Sequence, residues 1–156
     1  MTHKHHDKKH EVSSQVKVKF KGEAGRALKY HSDGASGFDI ASDAFVELHP
    51  HKTVVVPTGL YLEIPEGFEI QIRPRSGFSF HNNVIIKNAP GTIDSDYRGE
   101  IKIILYNLDA HRTVHIKKGD RIAQGVIAPV YKALFVEDEN HSTTERGEQG
   151  FGSTGQ

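Results

Sequence analysis

Short apolar runs separated by turn-forming residues recur along most of this chain and constrain its fold more than any other feature. Near the start, Val16, Val18 and Phe20 alternate with lysines, which is the period-two pattern of a half-buried strand. Proline and glycine between the runs predict tight turns, as at residues 57–59 and 65–67. Many short strands at this spacing predict an all-β fold: a sandwich, a jelly roll or a barrel. The further predicted strands cover residues 45–48, 54–56, 60–64, 68–72, 84–86, 101–108, 114–116, 122–130 and 134–136.

Helical candidates are few. Residues 26–31 predict about one turn, and residues 76–83 predict a short helix with Ser76 as its N-cap. The aromatic stretch Phe78-Ser79-Phe80 is a weak helix former. We therefore expect at most one short helix.

The chain of 156 residues fits one domain with tails. Residues 1–14 are polar and rich in His and Lys, which predicts a disordered tail. Residues 15–136 form the predicted β domain, residues 137–145 a polar linker, and residues 146–156 a glycine-rich arm that either stays flexible or orders over a ligand. The tail histidines either chelate a transition metal or are solvated, and the second is favoured because nothing packs their rings. They are His3, His5, His6 and His10.

Charge and composition exclude several classes of protein. With 20 basic and 20 acidic residues, the formal net charge of zero argues against DNA or an anionic membrane as a partner. The absence of cysteine excludes disulfides, thiolate metal sites and thiol nucleophiles. The chain has no apolar signal-peptide region and no run long enough for a membrane span. We expect a cytoplasmic protein, or a nuclear or organellar one if the source is eukaryotic.

The segment from Gly91 to Gly99 lies between two predicted strands. It carries two carboxylates, a phenol and a guanidinium, which a simple turn does not need. Asp94 and Asp96 are two positions apart, so in extended chain they face the same side. Such a pair binds a metal, shares a proton or caps turn amides, and the sequence does not choose among these. Loops held by rigid strands are frequent sites of catalysis.

Two further segments place polar groups beside strands. Pro74-Arg75-Ser76-Gly77 ends one strand at the start of the predicted helix, where free N–H groups, a guanidinium and a hydroxyl suit phosphate oxygens. By itself it is more often a simple turn. Gly37-Phe38-Asp39-Ile40 embeds one carboxylate among apolar residues, so Asp39 needs a partner, either a metal or a structural hydrogen bond.

Two further segments, residues 119–124 and the glycine-rich arm, each have a structural and a functional interpretation when taken alone. Residues 119–124 fit a hairpin turn that enters a strand. In the arm, successive glycine N–H groups form anion-binding nests and Arg146 adds charge. Phe151, between two glycines, is free to stack on a base, although a disordered terminus explains the same composition.

In this order, the five segments closely resemble the five motifs of the trimeric dUTP diphosphatase (dUTPase) family, and the likeness spans residues 15–155. The resemblance implies a jelly-roll-like β-barrel and a homotrimer whose three active sites use shared segments. It implies hydrolysis of dUTP to dUMP and diphosphate with Mg²⁺, which limits uracil in DNA and supplies dUMP for thymidylate synthesis. The segments are residues 35–40, 74–77, 91–99, 119–124 and 146–155.

The resemblance also implies roles for individual residues. Asp94 matches the general base, and Asp39 the carboxylate that holds the metal through its water shell. Asn88 matches the side chain that pairs with the uracil edge, Tyr97 the ring under the deoxyribose, and Phe151 the ring that stacks on uracil. The implied contacts to phosphates and to the hairpin are Arg75, Ser76, Gly77, Gly91, Thr92, Ile93, Gln124, Arg146, Gly152, Ser153 and Thr154. Asp96 and Arg98 are expected to hold the loop or a neighbouring chain by charge pairing.

The chain departs from the family pattern at two places. Asn83 stands where glycine is usual, and asparagine tolerates a positive φ better than most residues. The stretch 78–80 is bulkier than usual. Two other functions stay open: a related dCTP deaminase, for which Glu100 is the nearest candidate carboxylate, and a non-catalytic nucleotide-binding or protein-interaction module.

Overall fold

The computed structural model describes residues 14–152, in which ten strands and two short helices alternate with turns. The all-β prediction is confirmed, with one more short helix than expected. No helix in this range is long and apolar enough to cross a membrane. The elements are β1 (Lys19–Lys21), α1 (Glu23–Arg26), β2 (Phe38–Ala41), β3 (Val46–Leu48), β4 (Thr53–Glu63), β5 (Phe68–Arg73), α2 (Ser76–Asn82), β6 (Val84–Ile86), β7 (Gly91–Ile93), β8 (Ile101–Asn107), β9 (Val114–Ile116) and β10 (Arg121–Pro129).

The strands form two four-stranded antiparallel sheets and a two-stranded ribbon. One sheet has the order β1-β4-β8-β6, the other β2-β10-β5-β7, and β3 pairs with β9. Most neighbours in a sheet are distant in sequence, as in jelly-roll-like folds. The sheet β2-β10-β5-β7 therefore brings together segments that lie far apart along the chain.

The core is filled by the inward-facing residues of the strands. In β8, Ile101, Ile103 and Leu105 are buried while the residues between them are more exposed, the alternation that the sequence predicted. Val56 and Leu60 of β4 are equally buried beside them. Burying one such side chain contributes about 1.5–3 kcal/mol, so this alternation drives the pairing of the sheets.

The predicted turn at residues 57–59 is instead a bulge inside one eleven-residue strand, β4. Gly59 has a φ of 65° there, which lets the strand kink without ending. The Thr58 hydroxyl donates to the carbonyl of Ile101, and the Gly59 N–H donates to Oε1 of Glu100 at 3.0 Å. These bonds replace the missing ladder bonds, so the prediction of two separate strands was wrong here.

The predicted strand at residues 134–136 is also absent. The last strand ends at Pro129, and residues 130–152 contain no helix or strand. Leu134, Phe135 and Val136 are all strongly exposed. A strand needs a partner edge, and none within the described chain pairs with this segment.

The helix predictions were wrong in their details, whereas the expected tolerance of Asn83 for a positive φ is confirmed. Arg75, rather than Ser76, is the N-cap, and no side chain caps the helix. The first helix covers residues 23–26 instead of 26–31. Asn83 adopts the left-handed conformation at φ 54°, as its replacement of glycine predicted. The bulky stretch is accommodated because Phe78 packs against the core while Phe80 is 85% exposed.

One buried amide ties β3 and β8 to the loop that follows β8. The Asn107 side chain donates to the carbonyls of Leu48 and Arg112 and accepts the N–H of Asp109. The Asp109 carboxylate in turn accepts the backbone N–H groups of His111 and Arg112, which hold the pKa of Asp109 below its usual value. The buried side chain of Asn107 is therefore hydrogen-bonded through both its nitrogen and its oxygen.

Candidate active site

Four of the five predicted motifs lie on one sheet. Gln124 of β10 pairs with Asp39 of β2 on one side and with Arg73 of β5 on the other. Arg75 follows two residues later, at the start of α2. The first, second and fourth motifs therefore meet at one edge of the sheet, by which we mean the side where β5 ends at Arg73.

Nitrogen-bearing side chains surround Asp39, and we call Asp39, His31, Arg75 and Arg121 the Asp39 cluster. The Asp39 side chain is 15% exposed. Its Oδ1 accepts a hydrogen bond from Nε of Arg75 at 2.8 Å. Its Oδ2 lies 2.5 Å from Nε2 of His31 and 3.5 Å from a terminal nitrogen of Arg121. His31 and Arg121 also contact each other. One carboxylate thus faces several cationic or donor groups, which leaves this edge suited to an anion.

Gln124 joins the first motif to the second. Its Nε2 donates to the carbonyl of Pro74 at 3.0 Å. Its side chain lies over Gly37, where a Cβ would come within 2.4 Å of Oε1. A side chain at position 37 would therefore displace the Gln124 amide from this position. Ser76 and Gly77 are exposed beside it, at the start of α2.

The third motif lies at the end of β5 that is opposite to Arg73 and Ser76. In β7, Gly91 pairs with Ile72 and Ile93 pairs with Ile70, so the strand runs away from Ser76. Asp94 follows directly and is exposed. Its backbone carbonyl accepts the N–H of Tyr97 at 3.2 Å and closes the loop. Asn88 and Thr92 are also exposed, and the side-chain nitrogen of Asn88 lies close to Gly91.

The loop itself is held by its own polar groups. The Tyr97 hydroxyl donates to the carbonyl of Glu100 at 2.8 Å, and its ring covers Gly99, where a Cβ would lie 2.5 Å from the hydroxyl oxygen. The Arg98 guanidinium donates to the carbonyl of Ser95 and lies 3.7 Å from the Glu63 carboxylate. This supports the expected scaffold role of Arg98. An open groove of about 240 Å³ lies between Asp94 and Tyr97 on one side and strands β4 and β8 on the other.

The structure separates Asp94 from the Asp39 cluster within one chain. By the register, Asp94 lies beyond Ile70 of β5, whereas Ser76 lies beyond Arg73 at the other end. Seven residue positions of mostly extended chain between Glu69 and Ser76 correspond to about 20 Å. Within one chain, the Asp39 cluster and Asp94 therefore lie at separate ends of β5.

The predicted arm is not placed over either end. Arg146 and Gln149 close a turn in which Nε of Arg146 donates to the Gln149 carbonyl at 2.8 Å. Phe151 is fully exposed, and Gly152 has a φ of 76°. The predicted residues Ser153 and Thr154 lie outside the described residues, as do the histidines of the N-terminal tail.

Sequence reasoning missed His31 and Arg121 as members of the site. Arg121 lies within the segment 119–124, so its neighbourhood was marked although its side chain was not. No motif or residue pattern around His31 marks it as part of a site. The isolated bridge between Tyr30 and Phe38 brings it beside Asp39, and such a bridge has no signature in sequence.

The carboxylates of the site fit an outer contact to a metal rather than a protein cage. Among residues 14–152, no group of three or more His, Asp or Glu side chains is arranged to hold a metal ion. A carboxylate has about four acceptor positions, and three nitrogen groups approach those of Asp39. With these partners, Asp39 fits a contact to Mg²⁺ through water better than direct coordination, because this ion keeps much of its water shell.

Glu100, the carboxylate considered for a deaminase, has a structural partner. Its Oε1 accepts the Gly59 N–H in the bulge of β4. This bond ties the carboxylate to the bulge of β4, and Glu100 also lines the groove beside Asp94 and Tyr97.

The fold and the Asp39 cluster define a jelly-roll-like β protein with two arginines and a histidine around one carboxylate of a sheet, and comparison with known families gives the class its name. Residues 23–155 match the family model described as dUTPase. The chain belongs to the dUTPase family and is therefore a hydrolase of nucleotide metabolism. The family predicted from the five motifs, and the prediction of an enzyme, are both confirmed.

A curated bacterial relative agrees with this assignment. The deoxyuridine 5'-triphosphate nucleotidohydrolase of Hydrogenobaculum is 53% identical over 127 residues, which cover 81% of this chain and 88% of the relative.

Two solved structures are similar in fold. A mutant dUTPase of Staphylococcus bacteriophage 80alpha with dUpNHpp is 28% identical, with a TM-score of 0.79 over 92% of this chain and 99% of that one. A mutant dUTPase from phage phi11 of S. aureus, described for the coordination of a structural Mg(II) ion, is 24% identical with a TM-score of 0.73 over 83% of this chain and 100% of that one. The second likeness supports the fold alone.

Proposed function

We propose that this chain hydrolyses dUTP to dUMP and diphosphate. The observation that carries the proposal is the convergence of three motifs on one sheet edge: Arg75 bonds to Asp39, and Gln124 bonds to Pro74. These contacts join segments of the chain that match the dUTPase family model. An edge of this charge suits a triphosphate.

The proposed reaction is an in-line attack of water on the α-phosphorus. Asp94 orients the water and takes its proton, the new bond forms between the water oxygen and phosphorus, and the bond to the bridging oxygen breaks so that diphosphate leaves. The exposure of Asp94 supports this role, because its carboxylate is accessible to a water and a ligand. Little covalent chemistry is required of the protein, so positioning and charge dominate.

The phosphates are proposed to bind the edge beside α2. Arg75 supplies a guanidinium, Ser76 a hydroxyl, Gly77 a backbone N–H and Gln124 an amide. The arm then closes over the γ-phosphate with Arg146 and the backbone of residues 152–154. Closure excludes water other than the nucleophile and strengthens each charge contact.

The base and sugar are proposed to bind the hairpin that precedes Asp94. Asn88 and the backbone of residues 91–93 pair with the uracil edge, and Phe151 of the arm stacks on its face. Tyr97 packs under the deoxyribose, so a 2'-hydroxyl collides there and ribose is rejected. A 5-methyl group collides with the hairpin, and cytosine presents a donor where uracil presents an acceptor.

Mg²⁺ is the proposed cofactor, bound mainly by the substrate phosphates and held through water by Asp39. When bound, the ion would neutralise part of the negative charge of the substrate phosphates. The nitrogen partners of Asp39 and its 15% exposed side chain support an outer contact of this kind.

The enzyme is proposed to act as a homotrimer with shared sites. The separation of about 20 Å between Asp94 and Ser76 along the strands supports this, because one triphosphate cannot bridge both ends within one chain. The exposed apolar residues 134–136 lack a partner within the described chain and suit a contact with a neighbouring copy.

We further propose that the enzyme works in the cytoplasm. There it limits uracil in DNA by removing dUTP and supplies dUMP for thymidylate synthesis. Its partner is the nucleotide, with no role for nucleic acid or membrane binding.

Hydrolysis in ¹⁸O-labelled water tests the proposed bond cleavage. Attack on the α-phosphorus places the label in dUMP, and unlabelled diphosphate leaves. Mass spectrometry of the products measures this. Label in the diphosphate instead of dUMP would contradict the proposed attack, and formation of neither product would contradict the function.

A further inference from the structure

The Asp39 cluster contains a histidine that lies outside the five motif segments. His31 precedes the first of these segments, residues 35–40, by four positions. We infer that His31 is a positioning residue that holds the Asp39 carboxylate in the orientation needed for the metal-bound phosphates. This inference rests on the proposed function and adds a residue to it.

The backbone brings His31 to Asp39 by a short antiparallel bridge. Tyr30 pairs with Phe38, and their rings pack edge to face with centroids 5.9 Å apart. His31 and Asp39 each follow a bridged residue, so both side chains emerge on the opposite face from these rings. They are diagonal neighbours across the bridge, a separation that a long side chain can span. Gly37 has no side chain to come between them.

The two oxygens of Asp39 have different partners. Nε of Arg75 contacts Oδ1 at 2.8 Å, and Nε2 of His31 contacts Oδ2 at 2.5 Å. Two partners on different oxygens fix the rotation of the carboxylate about its terminal bond, which is otherwise broad. The other contact of Oδ2 is a terminal nitrogen of Arg121 at 3.5 Å, the limit of a hydrogen bond. The same nitrogen contacts Nε2 of His31, so His31 also sets how closely this guanidinium approaches the carboxylate.

A partner of this kind affects metal binding more than folding. Groups that orient a metal-binding side chain typically change metal affinity by about tenfold to a hundredfold when they are removed. The His31 side chain is 48% exposed, so its effect belongs at the lower end. Because it lies on an exposed loop, its loss leaves the core intact.

Binding of dUpNHpp, the nucleotide of the phage complex, measures this role apart from turnover. Calorimetric titration of the full chain gives the affinity with and without Mg²⁺. We expect Mg²⁺ to tighten binding to the native protein and His31→Ala to lose about tenfold of that gain. Binding without Mg²⁺ should stay unchanged. His31→Gln, which retains a side-chain N–H donor, should recover most of the loss.

His111→Ala is the matched control. His111 is an exposed loop histidine, and its bond to Asp109 comes from the backbone, which the substitution retains. It should bind as the native protein does, and thermal unfolding should confirm that both alanine variants are folded.

Three results would overturn the inference: native affinity of His31→Ala in Mg²⁺, equal weakening with and without Mg²⁺, or no effect of Mg²⁺ on the native protein. Failure of the proposed function is a separate result, because a native protein that neither binds dUpNHpp nor hydrolyses dUTP fails at the first step.

Discussion

At the scale of single residues, the third motif separates two acids that look equivalent in sequence. Asp94 follows β7 directly and borders the groove beside Tyr97. Asp96 lies two positions on, on the other side of the turn, where it borders a second groove with Lys17 and Arg98. The identical chemistry of the two side chains hides this difference, which only the turn geometry reveals.

Asp94→Asn tests the proposed base. The amide keeps the size of the side chain but cannot take a proton, so we expect kcat to fall by about a hundredfold to ten-thousandfold while dUpNHpp binding is retained. Single-turnover kinetics and calorimetry measure the two effects. Asp96→Asn is the matched control, because it changes the same charge on the same loop. A rate near that of the native enzyme for Asp94→Asn would show that another group activates the water.

At the scale of elements, periodicity predicted strands well where one face is buried. β8 and β5 lie where the alternation placed them, because a register slip would expose their core residues. Two predictions failed for reasons that alternation does not encode. A proline and a glycine within residues 57–59 form a bulge because Glu100 and Ile101 satisfy the local polar groups. Residues 134–136 have a strand pattern but no partner edge in the described chain.

Truncation after Glu145 tests the proposed independence of the arm from the core. Residues 146–152 bury nothing large, and Phe151 is fully exposed, so unfolding temperature should change little. We expect kcat/KM for dUTP to fall by at least about a hundredfold, because closure over the nucleotide is lost. Calorimetric melting and steady-state kinetics measure both.

Removal of residues 1–13 is the matched control for that truncation, and it should leave kcat/KM unchanged. Loss of folding after removal of the arm, or full activity without it, would contradict the proposed role.

At the scale of the whole molecule, the sheet order decides which motifs meet. The sequence predicted strands and motif residues, and the family resemblance supplied their roles, but strand order is a long-range property with no local signal. Pairing of β10 with both β2 and β5 brings Gln124 beside Asp39 and Arg73. The same order sends Asp94 to the far end of β5, which no spacing in the sequence indicates.

Mixing two variants tests whether sites are shared between copies. Asp39→Asn and Asp94→Asn should each be nearly inactive alone. If each site takes Asp39 from one chain and Asp94 from another, equal co-expression should give intact sites in about a quarter of cases. Activity of the purified mixture measures this, with each variant alone as its control. A mixture as inactive as its components would place both residues of a site in one chain.

Diphosphate release measures the proposed specificity of this phosphohydrolase for dUTP. The full chain is assayed with Mg²⁺ on dUTP, dTTP, dCTP and UTP at equal concentrations. We predict rapid release from dUTP and rates near background for the other three, because the hairpin and Tyr97 are proposed to select the base and the sugar. Equal turnover of all four nucleotides, or ammonia release from dCTP, would contradict the claim.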